Sequence, residues 1–132
     1  MRNVYHILIN PKILNHEVPN LRQSVGWERR DNDYPALFKH CLFWAGLRDK
    51  NGSLIAFGYI VGPGIEHGYM EDIIVHPNYQ GEGIGRALVQ KLLNESQKRG
   101  MSIVTVTFEE KNMSFYMSCG FNPCHGGVWR KK

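Results

Sequence analysis

Apolar and polar positions along this chain change period in a readable order. Val4 to Ile9 is a short apolar run that reads as an opening strand, ended by Asn10 and Pro11. Leu21 and Val25 lie four apart and give a short helical face, with Pro19 placed for a helix start and Gly26 for its end. Tyr34 to His40 predicts a second short helix. Leu42 to Arg48 and Ser53 to Val61 read as two strands, joined by the hairpin turn signal Asp49 to Gly52. Gly62, Pro63 and Gly64 turn the chain again, into a strand that carries Glu71 to Val75 and stops at Pro77 and Asn78. From Ile84 the period becomes helical: Ile84, Leu88 and Leu92 share a face, with Ala87 and Val89 flanking it. That helix is expected from about Gly85 to Arg99, with Gly100 as its stop and Glu95 and Arg99 paired one turn apart. Ser102 to Phe108 alternates as a strand, Asn112 to Ser118 predicts a short helix, and Phe121 to Trp129 a last strand or hairpin.

Between the strand ending at Val75 and the helix starting near Gly85 lies Gln80-Gly81-Glu82-Gly83-Ile84-Gly85. Three glycines at alternate positions let a ligand approach the backbone. The loop and the first helical turn have N–H groups free to donate, the helix dipole adds positive character, and Arg86 adds a full charge. This combination suits a phosphate or pyrophosphate. A dinucleotide fingerprint starting at Gly81 fails, because its last glycine would fall on Arg86. A P-loop fails too, since no Gly-Lys-Ser/Thr opens the helix.

Composition narrows the class. With 132 residues the chain fits a single domain spanning 1–132, with no repeats and no dividing linker. Cys41, Cys119 and Cys124 are odd in number and not at metal-ligand spacing, which suggests reduced thiols and a cytoplasmic location. The absence of an 18-residue apolar run predicts no membrane span, and the start lacks signal-peptide character. The formal net charge of +4 suits an anionic cofactor as well as nucleic acid. Arg29-Arg30 and Arg130 to Lys132 are short runs without interleaved aromatics, so they read as solvated surface rather than a nucleic-acid site. The six histidines have no metal-binding spacing, and no metal is expected.

Gln80, Gly83 and Gly85, after a strand ending Val75-His76-Pro77, resemble the signature of the GNAT superfamily of acetyl-CoA-dependent N-acetyltransferases. The element order is similar over most of the chain, least so before Leu42. Phe115, Tyr116, Gly120 and Phe121 resemble a second landmark of the same family. The resemblance implies an α/β GNAT (acyl-CoA N-acyltransferase) fold: a mixed, mostly antiparallel sheet flanked by helices. It implies acetyl-CoA as acyl donor, lying where the sheet splays between Ile73–Val75 and Ile103–Thr107. Ile73, Ile74 and Val75 would pair with the pantetheine arm. Gln80, Gly81, Glu82, Gly83, Ile84, Gly85 and Arg86 would hold the pyrophosphate. Asn112 is a further candidate contact, although it lies four residues before Tyr116 where the family places its asparagine about seven before. Tyr116 matches the tyrosine that protonates the leaving thiolate; the alternative is a core tyrosine packed on Phe115 and Phe121.

The incoming ammonium must also lose a proton. Candidates are Glu71 and Asp72 on the strand before the glycine loop and Glu109 or Glu110 at the end of the next strand, with ordered water as a further option. Asp72 is the hypothesis for amine binding or base, and Glu109 and Glu110 read first as surface charges. Adjacent strand residues point to opposite faces, so Glu71 and Asp72 share the cleft only if a bulge intervenes. The run Glu71 to Val75 is also similar to the corresponding strand of glucosamine-6-phosphate N-acetyltransferases, without an evident sugar-phosphate clamp elsewhere. Trp27, Tyr34 and Trp129 could wall a pocket for an arylalkylamine, or pack in the core or on a dimer surface. The expected activity is direct acetyl transfer to a primary amine of a small molecule, such as an arylalkylamine or amino sugar. A protein N-acetyltransferase and a non-catalytic acyl-CoA sensor of the same fold are the alternatives. A homodimer through the C-terminal strands is common in that family.

Overall fold

A computed structural model describes residues 5–132, so Val4 of the expected opening strand lies outside the described residues. The chain runs β1 (Leu8–Ile9), α1 (Glu17–Ser24), α2 (Tyr34–His40), β2 (Phe43–Arg48), β3 (Leu54–Val61), β4 (Glu66–Val75), α3 (Ile84–Lys98), β5 (Met101–Val106) and α4 (Met113–Ser118). Single 3-10 turns at Pro77–Tyr79 and Glu110–Asn112 precede α3 and α4. Among the described residues five strands form one sheet in the order β1-β2-β3-β4-β5. Neighbours are antiparallel except β4 and β5, which run parallel. A parallel pair requires a crossover, and α3 supplies it.

Strand alternation divides the interior into two layers. Ile55, Ile60 and Met70 pack with Ile84, Leu88, Val89 and Leu92 of α3 on one face. Leu54, Phe57, Tyr59 and Ile74 pack with Val18 and Leu21 of α1 and Tyr34 of α2 on the other. The face predicted for α3 is therefore its buried face. Glu95 and Arg99 pair at 2.8 Å, and Gly100 ends the helix at φ +90.

Several expectations shift. The opening strand shrinks to two residues. α1 begins at Glu17, so Pro19 sits in its first turn, where a missing N–H breaks no helical bond. The expected strand or hairpin over Phe121 to Trp129 does not form: the segment is irregular and mostly exposed. Pro123 removes a ladder donor, Gly126 and Gly127 disfavour extended order, and the good strand formers Phe121, Val128 and Trp129 stand only at the two ends of the segment. β5 is consequently the sheet edge among the described residues.

β4 shapes the rest. Its register with β3 runs Val61–Tyr69, Ile60–Met70 and Tyr59–Glu71, then jumps to Phe57–Ile74. Asp72 and Ile73 thus oppose the single residue Gly58, which makes a bulge, and Asp72 adopts φ +51. A Cβ on Gly58 would lie 2.5 Å from Cδ1 of Ile73 and 3.0 Å from Cδ1 of Leu92. Glycine is what allows Ile73 to fold back over the α3 face.

Candidate active site

The β4–β5 ladder ends at Met70–Val106, while β4 continues to Val75. Past Met70, one edge of β4 has no partner on β5, and the sheet opens there. Beside this opening lies a cleft of about 590 Å³. The wall formed by β4 contributes Ile73 and Val75; the loop and α3 contribute Gln80, Gly81, Gly83, Ile84, Gly85 and Arg86; the far wall contributes Asn112, Phe115 and Tyr116. The structure therefore gathers most of the expected cofactor residues around one space. Ile74 and Glu82 are the exceptions. The Ile74 side chain is buried in the opposite core, leaving only its backbone available to the cleft side. Glu82 accepts a 2.6 Å hydrogen bond from the Tyr5 hydroxyl.

The glycines of the loop do different jobs. Gly81 and Gly83 have φ +81 and +84, with open space where a Cβ would stand. They are needed for backbone conformation. Gly85 is helical, and its Cβ would come within 3.2 Å of the Phe115 ring. It is needed so that α4 can close on α3. Gly83 caps α3 without a side-chain hydrogen bond, so the first-turn N–H groups lack an intrahelical acceptor. The Gln80 side chain donates to the Val75 carbonyl at 2.9 Å and ties the loop to the strand end. The arrangement can hold an anion at the helix N-terminus.

Tyr116 is buried among aromatic rings. Phe108 stacks on it at 4.8 Å, and Phe115 and Phe121 meet it edge-on. Burial, with smaller contributions from Cys119 and Glu71, pushes its phenol up to about 12. It stays protonated and can donate. Glu71 also influences this phenol, which places the carboxyl and the tyrosine in one electrostatic neighbourhood across the opening.

The bulge brings Glu71 and Asp72 to the same face, the one covered by α1 and α2. Their states differ. Asp72 is almost enclosed: its Oδ2 accepts from Arg22 at 2.8 Å and from the Tyr34 hydroxyl. Glu71 is half-buried; burial first, then the Asp72 charge, raise its pKa, and Arg30 partly opposes them. Glu109 and Glu110 are exposed in the turn before α4. Glu109 pairs loosely with Lys111 at 3.6 Å.

Trp27, Tyr34 and Trp129 do not form a shared apolar wall. Tyr34 is fully buried, Trp27 lies under the Arg22 guanidinium at 5.3 Å, and Trp129 is 86% exposed. Arg22 is the residue that sequence reasoning missed. It follows Val18 by four, so it falls on the buried stripe of α1. A charge on an apolar stripe is the signal that could have found it. Among the described residues no cluster of three or more His, Cys, Asp or Glu could hold a metal. No helix among them is long and apolar enough to cross a membrane.

Comparison with known proteins gives consistent relatives. The sequence profile of the acetyltransferase (GNAT) family matches residues 4–121. The uncharacterized N-acetyltransferase ycf52 of Porphyra purpurea is 29% identical over 97% of this chain and 75% of its own length. Glucosamine 6-phosphate N-acetyltransferase of Trypanosoma brucei brucei is 39% identical over 54 residues, 41% of this chain and 37% of that protein. Among solved structures, the GNAT family acetyltransferase SP0256 of Streptococcus pneumoniae TIGR4 superposes with a TM-score of 0.79. It is 29% identical, covering 98% of this chain and 99% of that one.

Proposed function

The chain belongs to the acetyltransferase (GNAT) family, and we propose that it acetylates the primary amine of a small molecule, with Glu71 as base and Tyr116 as acid. It is an N-acetyltransferase that uses acetyl-CoA. The roles of individual residues are our reading. One observation carries it: the glycine loop, the unpartnered edge of β4 and the Tyr116 phenol border a single cleft, and Glu71 stands at the opening of the sheet beside it.

In this reading the first-turn N–H groups of α3 and the Arg86 guanidinium bind the pyrophosphate. The backbone of Ile73 to Val75 receives the pantetheine arm as an extra strand would be received. Backbone donors near Ile74 polarise the thioester carbonyl. Glu71, with its raised pKa, takes a proton from the amine as nitrogen bonds to the acetyl carbon. As the carbon–sulfur bond breaks, Tyr116 gives its proton to the departing thiolate. The acetyl group passes directly to the amine, with no covalent enzyme adduct. Asn112 lines the cleft and is a further candidate contact for the cofactor.

Asp72 is poorly placed to act as the base, because Arg22 and Tyr34 already occupy its carboxylate. The acceptor is a small amine such as an amino sugar or an arylalkylamine. The experiment is a thiol-release assay with acetyl-CoA against a panel containing glucosamine 6-phosphate, phenethylamine and a lysine-bearing peptide. Release with either small amine that is lost in Glu71→Gln supports the reading. Release with the peptide alone rules out a small-molecule acceptor, and no release with any amine favours a non-catalytic acyl-CoA module.

A further inference from the structure

The least expected feature of this fold is a buried ionic cluster on the face opposite the cofactor cleft. Arg22 and Asp72 form an ion pair at 2.8 Å, with side chains only 9% and 11% exposed. The Tyr34 hydroxyl donates to the same carboxylate oxygen. Tyr34 is itself fully buried, with its ring edge-on to Phe38 and Phe57. Arg22 is held a second time: its Nε donates to the Glu28 carbonyl at 2.6 Å, and its guanidinium lies over Trp27. The cluster thus joins α1, the loop after it, α2 and β4.

Its position along β4 is the informative part. Asp72 is the left-handed residue of the bulge, at φ +51, a conformation unfavourable for a side-chain-bearing residue. In a regular strand Asp72 would share a face with Met70, against α3. The bulge turns it to the α1–α2 face, where Arg22 and Tyr34 wait. Glu71, one residue earlier, is the last residue paired with Tyr59 before the register jumps. Whatever holds Asp72 therefore fixes where Glu71 stands, and places a carboxylate, only partly compensated by Arg22, beside it.

We propose that Arg22 and Tyr34 are positioning residues that act through Asp72: they lock the β4 bulge and occupy the Asp72 carboxylate, so that of the two bulge carboxyls Glu71 alone remains available to the acceptor. This rests on the reading of Glu71 as base only for its catalytic consequence; the electrostatic link stands by itself. The groups that bear on Glu71 are Asp72 on its own strand, Arg30 from the α1–α2 loop, Tyr59 from β3 and Tyr116 from α4. Both phenols are neutral, so Asp72 and the cations near it decide the balance. A like charge raises a carboxyl pKa, and a cation lowers it.

Two substitutions in the one cluster should then move Glu71 in opposite directions. Asp72→Asn removes the neighbouring anion and leaves Arg22 uncompensated, so Glu71 titrates at lower pH. Arg22→Met uncovers the Asp72 charge, so Glu71 titrates at higher pH. The measurement is carboxyl 13C NMR of the full chain labelled at glutamate, with the Glu71 signal assigned by its loss in Glu71→Gln. Tyr34→Phe keeps the ring in the core and removes only the hydroxyl. It should move Glu71 upward by less than Arg22→Met, and it decides the matter if Arg22→Met does not fold. Opposite shifts, or the upward shift in Tyr34→Phe, support the link. Shifts of the same sign, or an unmoved Glu71 in folded Asp72→Asn and Tyr34→Phe, overturn it. If the shifts appear but Glu71→Gln still transfers acetyl at the normal rate, the base assignment falls and the cluster's hold on Glu71 remains.

Discussion

Burial and the neighbouring Asp72 carboxylate both oppose ionisation of Glu71. A folded-state carboxyl with a raised pKa binds its proton more tightly than the unfolded chain does. Stability therefore falls as pH rises from the ordinary carboxylate range through the raised value. Above that window the Glu71 charge weighs against the fold. Glu71→Gln should accordingly raise the melting temperature at neutral pH and leave it unchanged in acid below the ordinary carboxylate range. It should also lower kcat by roughly 10²–10⁴-fold, the usual contribution of a positioned acid or base. Calorimetry across pH, with the thiol-release assay beside it, checks both halves. Tyr116 gives a cleaner contrast. Its ring is packed on Phe108, Phe115 and Phe121, and Tyr116→Phe keeps all three contacts. The expected result is an unchanged melting temperature and unchanged acetyl-CoA binding, with kcat reduced by at least about 100-fold. An unaltered kcat would return Tyr116 to the role of a core residue.

At the scale of elements, what was readable in the sequence is what depends on local period and turn chemistry. α2 runs from Tyr34 to His40 as the pattern predicts, and the buried face of α3 is Ile84, Leu88 and Leu92. The Asp49 to Gly52 turn joins β2 and β3, with Gly52 donating to the Asp49 carbonyl at 3.0 Å. The bulge was less readable, because it is a property of two strands. Nothing in Glu71-Asp72-Ile73 says which residue is extra; Gly58, across the sheet, says it. A glycine inside a strand marks a bulge or a close approach, and here it marks both. The last predicted strand failed for a related reason: apolar content near Trp129 does not provide a partner, and Pro123 and the Gly126-Gly127 pair oppose extension. Gly58→Ala tests the bulge directly. The added methyl would stand 2.5 Å from Ile73 and 3.0 Å from Leu92, contacts that only a shift can relieve. Overpacking of this kind costs about 1–3 kcal/mol. Urea unfolding should show that loss. Activity should drop further than stability explains, because Ile73 and Glu71 move with the bulge.

Across the whole molecule, the two faces of the sheet divide the work. The α3 face carries the cleft, with its glycine loop and the Arg86 cation at the start of α3, the α1–α2 face carries the ionic cluster, and the β4 bulge lies between them. The net charge of +4 favours approach of an anionic co-substrate, and Arg86 is a cation that lies in the cleft wall. It is exposed and makes no ion pair among the described residues, so it adds little to the unliganded fold. That separation makes a direct prediction. Acetyl-CoA at about 100 times its Kd should stabilise the protein by ~2.7 kcal/mol, since it binds only the folded state. Arg86→Ala should leave the unliganded melting temperature where it was. At the same acetyl-CoA concentration most of the stabilisation should vanish, because a hydrogen bond to a charged group contributes about 1.5–3 kcal/mol, roughly tenfold to a hundredfold in affinity. Added salt should narrow the gap between the two proteins, as screening weakens an exposed cation's pull on a phosphate. If Arg86→Ala kept the full ligand-induced shift, the backbone donors of the glycine loop would be holding the pyrophosphate alone. The charge at the start of α3 would then serve approach rather than grip, and it would appear in the association rate instead of the melting curve.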